Sequence, residues 1–250
     1  MIRRPPRSTQ SRSSAASDVY KRQDICYMIF TVTKKGDTIA AKKRYAKRTK
    51  IIFNQDRPIK MDKIEVKGFK KSNMSEVGNK IISKIMSIIC SDEANESVRN
   101  DVLSYLKEEI MNIKNGKYEL YQICKRVALS KYIDEYANEE HVRAARWTNE
   151  NAYKWEGVST YNKGSLVKYI YIKDKHINRK YSRSNVIALD NNDYLPDDVL
   201  YMTVNGKKVN IIDMDMIIEK TILEPLSEIL DGLNLSIDEI LGRKTQQKMF

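Results

Sequence analysis

The chain has 250 residues, enough to bury one sizeable core or two modest ones, and its hydrophobic share of 41% is that of a globular body. A formal charge of +12 favours a polyanionic partner, and no apolar run reaches the roughly eighteen residues that a membrane span needs. Cys26, Cys90 and Cys124 are too widely spaced for a zinc site and read as core thiols of a reducing, cytoplasmic compartment, while His141 and His176 leave little material for a histidine-based metal or triad site.

Residues 1–23 differ in composition from everything after them, with arginine, serine and proline where the body has lysine, isoleucine and asparagine. Arg3, Arg4, Arg7, Arg12, Lys21 and Arg22 stand there against Asp18, so the remaining body carries about seven of the net positive charges. The segment lacks a secretory apolar stretch and is a poor core former, so disorder is the physical expectation. It looks like translated adapter sequence; the rival reading is a basic arm that grips phosphates. A lysine-rich coding bias would also make the body basic, so motifs have to decide between a polyanion-binding surface and mere composition.

Tyr27-Met28-Ile29-Phe30-Thr31-Val32-Thr33 is rich in β-branched and aromatic residues, and Lys34-Lys35-Gly36-Asp37 supplies turn chemistry. A hairpin is therefore predicted over 25–46, its second strand ending in Lys42-Lys43-Arg44-Tyr45-Ala46. Such a hairpin sets cations and a ring on a rigid element, as a grip on a nucleic-acid backbone requires. Two short strands follow, Ile51-Ile52-Phe53 and Ile64-Glu65-Val66, and then the basic loop Lys67-Gly68-Phe69-Lys70-Lys71-Ser72. Ser75 reads as an N-cap ahead of the helical stripe Val77, Ile81, Ile82, Ile85 and Ile89. Val98, Val102, Leu106 and Ile110 predict a helix over 96–113, ended by Asn115-Gly116. Residues 118–124 can be read as strand or helix, and the alternation of Leu120, Gln122 and Cys124 with Tyr121 and Ile123 favours a strand; helices are expected at 129–137 and 139–153. Lys168-Tyr169-Ile170-Tyr171-Ile172 is a strand, 201–206 a short strand and turn, and 210–232 a last long helix bent at Pro225.

The basic motif and the blocks after it carry a resemblance. Lys42 to Ala46 resembles the lysine-lysine-arginine-tyrosine motif late in the palm of family B DNA polymerases, of the T4-like phage or related viral and archaeal type. Lys67-Gly68 through Ser72 and Ser75 resembles the palm-to-thumb crossing. Residues 129–136 and His141-Val142-Arg143-Ala144-Ala145 resemble the middle of the thumb. Val186-Ile187-Ala188-Leu189 with Leu195-Pro196, and then 212–215 with 218–226, follow in the family's order. The implied fold is α+β: an antiparallel strand remnant of a polymerase palm at 24–66, followed by a mainly helical thumb at 67–244.

The resemblance implies primer–template DNA as partner, contacted by Lys42, Lys43, Arg44, Tyr45, Lys67, Gly68, Lys70, Lys71 and Ser72. It also implies a sliding clamp docked on the tail 245–250 through Gln246, Met249 and Phe250. Deoxynucleotides and two magnesium ions belong to the complete enzyme, whose paired palm aspartates are not in this sequence. The expectation is thus a C-terminal fragment with no catalytic, metal-binding or membrane-spanning part of its own; the alternative is a non-catalytic basic DNA-binding protein. Asp190, Asp193, Asp197, Asp198, Asp213 and Asp215 sit where carboxylates cap turns and helix starts. His141 is expected to be structural, and Trp147, Trp155 and Tyr161 to pack rather than stack on a base.

Overall fold

The computed structural model describes residues 23–33, 40–54, 57–91, 97–151, 160–173, 185–189, 201–204 and 207–243. The 34–37 turn, Trp155, the 190–198 aspartates, Leu195-Pro196 and the 245–250 tail lie outside them, as does the leading segment up to residue 22.

Three antiparallel strands open the fold in the order β1-β2-β3: Gln23–Thr33, Ala40–Asn54 and Arg57–Lys67. The sequence splits residues 40–53 into two strands, whereas the structure runs them as one long β2. Pro58 does not interrupt the pairing, because β3 is an edge strand and spends no ladder bond on the missing amide. Period-two alternation sends Phe30, Val32, Ala46 and Val66 inward, and Val32 and Ala46 are fully buried there.

Helix α1, Glu76–Ile89, starts where Ser75 accepts a hydrogen bond from the Gly78 amide at 3.0 Å. Its apolar stripe packs on β3 and on α2, Val98–Lys114. Residues 118–124 form no strand. Glu119 and Gln122 make a reciprocal cap for the short helix α3, Leu120–Ile123, and the chain extends only afterwards as β4, Lys125–Ala128. The expected helix at 129–137 is likewise replaced by a loop and a 3₁₀ turn at Ile133–Glu135, because the Tyr136 hydroxyl accepts the Ser130 and Lys131 amides at 2.7 and 3.1 Å.

Helix α4, Glu140–Asn151, covers a second antiparallel sheet, β4-β5-β6, with β5 at Leu166–Tyr171 and β6 at Val186–Ala188. The helical half therefore carries a sheet that the sequence only hinted at through β5. Glu140 accepts hydrogen bonds from Tyr171 and Tyr169 at 2.6 and 3.3 Å, and Lys125 donates to the Tyr171 hydroxyl at 3.2 Å. Burial pushes both phenols up and the Lys125 ammonium down, so the phenols stay protonated donors and lock α4 onto β5.

After the hairpin β7 (Tyr201–Val204) and β8 (Lys207–Asn210), the final helical stretch begins at Met214, not at 210. Asp213 caps α5, Met214–Ile217, by accepting from the Met216 amide at 2.9 Å, as expected of a carboxylate at a helix start. A π segment, Ile218–Leu223, leads into α6, Glu224–Gly232, and Leu235 returns its amide to the Leu230 carbonyl to end it. A last helix, α7 at Ile237–Leu241, docks on α2 through two bonds from Arg99 to Glu239, each 2.8 Å. The whole is α+β. Among the described residues, no helix is long and apolar enough to cross a membrane.

Candidate nucleic-acid interface

The basic motif sits mid-sheet. Lys42 and Lys43 belong to β2, their side chains outside the described set. Arg44 and Tyr45 are both half-buried, and strand alternation parts them. Tyr45 shares with Lys47 the sheet face turned away from Ala46, opposite Lys67 and Glu65 in register. There the Lys67 ammonium lies 5.8 Å from the Tyr45 ring centroid and 2.9 Å from a Glu65 carboxylate oxygen. The Glu65 carboxylate, and after it Tyr45, hold the Lys67 ammonium above the ordinary lysine range. Arg44 takes the inner side instead and makes an ion pair with Glu228 of α6.

From Lys67 the chain turns at Gly68, whose φ of +76° is a left-handed value that favours glycine. Phe69 then plunges into the core against Phe30, ring centroids 6.3 Å apart. That anchor leaves Lys70, Lys71 and Ser72 exposed on a short loop, pinned because the Lys71 carbonyl accepts from the Met74 amide at 3.2 Å and the Asn79 side-chain amide at 3.3 Å. Two blocks some twenty residues apart in sequence thus meet: Tyr45 and Lys67 touch, and Lys70 to Ser72 continue from them.

A further cationic spot lies beyond β4, where Asn162-Lys163-Gly164 reads in the sequence as a turn with a case for backbone contact to DNA. The Arg126 amide bonds the Asn73 carbonyl at 3.4 Å, so β4 begins beside the basic loop. Six residues on, Tyr132 is 59% exposed with the Lys163 ammonium 5.1 Å from its ring centroid. Fully extended, that stretch spans at most about 22 Å. Lys131 and Gly164 flank it, both exposed. The Gly164 amide bonds the Leu129 carbonyl at 2.7 Å, holding the two loops together. An exposed aromatic next to a cation was the available sequence signal, and it is too common to single out alone.

Other candidates are structural. Trp147 and Tyr161 are buried, the latter donating to the Leu189 carbonyl. Arg143 and Arg146 donate to the Asn138 and Ile133 carbonyls at 2.9 and 3.0 Å and staple the loop before α4. Burial holds the His141 imidazole below its ordinary range although Glu139 lies 3.5 Å away. Asp215 pairs with Lys114 at 2.7 Å. A magnesium pair needs converging carboxylates. Among the described residues no group of three His, Cys, Asp or Glu side chains is placed to hold a metal ion, so these residues do not fit one.

Compared with known proteins, residues 38–233 match the family described as DNA polymerase family B. No curated protein matches the chain. The matched stretch takes in β2 with its Tyr45, β3, the basic loop from Lys67 to Ser72, the sheet β4-β5-β6 and α6, and leaves out β1. The chain belongs to DNA polymerase family B.

Proposed function

We propose that this chain is the duplex-gripping part of a DNA-directed DNA polymerase, holding primer–template while paired carboxylates elsewhere in the enzyme perform nucleotidyl transfer. The observation that carries the reading is the contact of half-buried Tyr45 with exposed Lys67, running on into the exposed Lys70-Lys71-Ser72 loop. Lysines, hydroxyls and a glycine turn are ordinary ligands of phosphate and position a duplex without reading its sequence. A ring beside them gives an apolar surface for the sugar backbone. Such an arrangement suits a copying enzyme, which must accept any base pair. Membership of the family implies DNA and deoxynucleotides as substrates, and it removes accidental resemblance as an explanation of the motif order.

A salt titration of primer–template binding tests the reading. The Lys70→Ala, Lys71→Ala double variant should lower the slope of log K against log salt by about 0.9 for each phosphate that it no longer neutralises. Unchanged affinity and slope would remove this loop from the footprint and with it the proposed grip.

A further inference from the structure

Inside the four-residue basic motif, one cation behaves unlike a phosphate ligand. Arg44 lies on the opposite sheet face from Tyr45 and pairs with Glu228 on α6. Glu228 shares its helix face with Gly232, one turn on. A Cβ at Gly232 would stand 3.5 Å from Phe30 Cζ, so the β1–β2 hairpin lies against the helix at that point too. Phe30 is paired in register with Ala46, two residues from Arg44. One face of α6 thus meets the sheet twice, by an ion pair at Glu228 and by close apolar packing at Gly232.

We propose that Glu228 is a positioning residue: through Arg44 it fixes the strand that carries Tyr45 against the helical half, so Arg44 serves as a strut and not as a DNA contact. The inference rests on the duplex-gripping reading, since what the strut positions is the DNA-facing side of β2. Arg44 and Glu228 keep 32% and 41% of their side-chain surface exposed. An ion pair that open to solvent adds little to overall stability, so its effect should be read in the placement of the strand. The sign of the expected effect on binding is also distinctive. Glu228→Gln makes an already basic chain more positive, which by charge alone would tighten DNA binding. Removal of the strut weakens it.

The experiment has two arms on the full chain. In the first, primer–template affinity is measured for Glu228→Gln, Arg44→Met and the charge-reversed double variant Arg44→Glu, Glu228→Arg. Each single change should weaken binding roughly two- to five-fold with the salt slope unchanged, and the double should recover most of that affinity. Tighter binding by Glu228→Gln, or a slope lower by about 0.9 in Arg44→Met, overturns the proposal, the latter by making Arg44 a phosphate ligand. The second arm needs no DNA: hydrogen exchange of the β2 amides around Arg44 should quicken by a similar factor in Glu228→Gln and slow again in the double. Unchanged exchange overturns the strut even where binding shifts. A wild-type chain that binds no duplex would sink the gripping reading instead, and the exchange arm would still decide the strut.

Discussion

His141 shows how a single side chain is set by its surroundings. It opens α4 at 9% exposure, edge-on to the Tyr136 ring with centroids 5.5 Å apart. Desolvation disfavours its charged form, Glu139 and Glu140 favour it, and burial prevails. The folded state therefore gives up its proton more readily than the unfolded chain. Above the ordinary histidine value neither state is protonated and His141 costs nothing. As pH falls below that value the unfolded chain takes up a proton that the folded one refuses, and stability drops until the depressed folded value is passed. Thermal unfolding from pH 7.5 to 5.5 should show a larger drop in the wild type than in His141→Gln; parallel drops would mean that the imidazole is not buried as described. The structural role of His141 was legible from its place at a helix start. The parting of Arg44 from Tyr45 was not, because four consecutive basic and aromatic letters read as one patch until strand alternation is applied to them. Lys67, by contrast, was assigned to the interface with no hint that it pairs with Tyr45 across β2 and β3.

Among the elements, the last long helix is shaped by Pro225. An α-helix would aim the amide of residue 225 at the Thr221 carbonyl, and proline has none. The helix responds by widening: Ile218–Leu223 is a π segment in which the Glu224 amide reaches back to the Glu219 carbonyl. The sequence predicts a bend at Pro225; the structure shows a change of helical pitch ahead of it. The Thr221 carbonyl lies only 3.2 Å from where a Cβ on Gly78 would stand, and the Ser75 hydroxyl, which caps α1, only 2.9 Å. Any side chain at 78 must displace the cap or press on that carbonyl. Gly78→Ala should therefore destabilise by about 1–3 kcal/mol through overpacking, despite a helix-propensity gain of up to about 1 kcal/mol. The shift of the denaturation midpoint measures it, and a neutral or stabilised variant would refute so tight a crossing. Helices α1 and α2 and strand β5 were legible because their apolar periods are long and unbroken. Residues 118–124 and 129–137 were not, since a reciprocal side-chain cap and one tyrosine hydroxyl outweigh weak local preference there.

At the scale of the molecule, the strand meander and the helical half do not fold around separate centres. Val32, Ala46 and Phe69 belong to the same buried cluster as the inward faces of α1, α4 and α6. Arg48 of β2 donates to the Cys90 carbonyl at 3.2 Å, joining the sheet to the end of α1. A shared core means that removing either part exposes apolar surface on the other, and burial of such surface is the main term favouring the folded state. Unfolding of the two parts should then be a single event. Two of the thiols make this measurable: Cys90 lies at the sheet–helix junction and Cys124 just before β4, both buried, and burial also holds the Cys90 thiol above its ordinary range. Neither should react with a thiol reagent in the native chain. Across a denaturant series, pulse labelling of Cys90 and of Cys124 should share one midpoint with the change in tryptophan fluorescence, to which Trp147 of α4 contributes. Were Cys90 to become reactive at distinctly lower denaturant while Cys124 and the fluorescence stayed native, the meander would be peeling away as a separate unit, and a strut between β2 and α6 could not then hold the DNA-facing strand against the helical half.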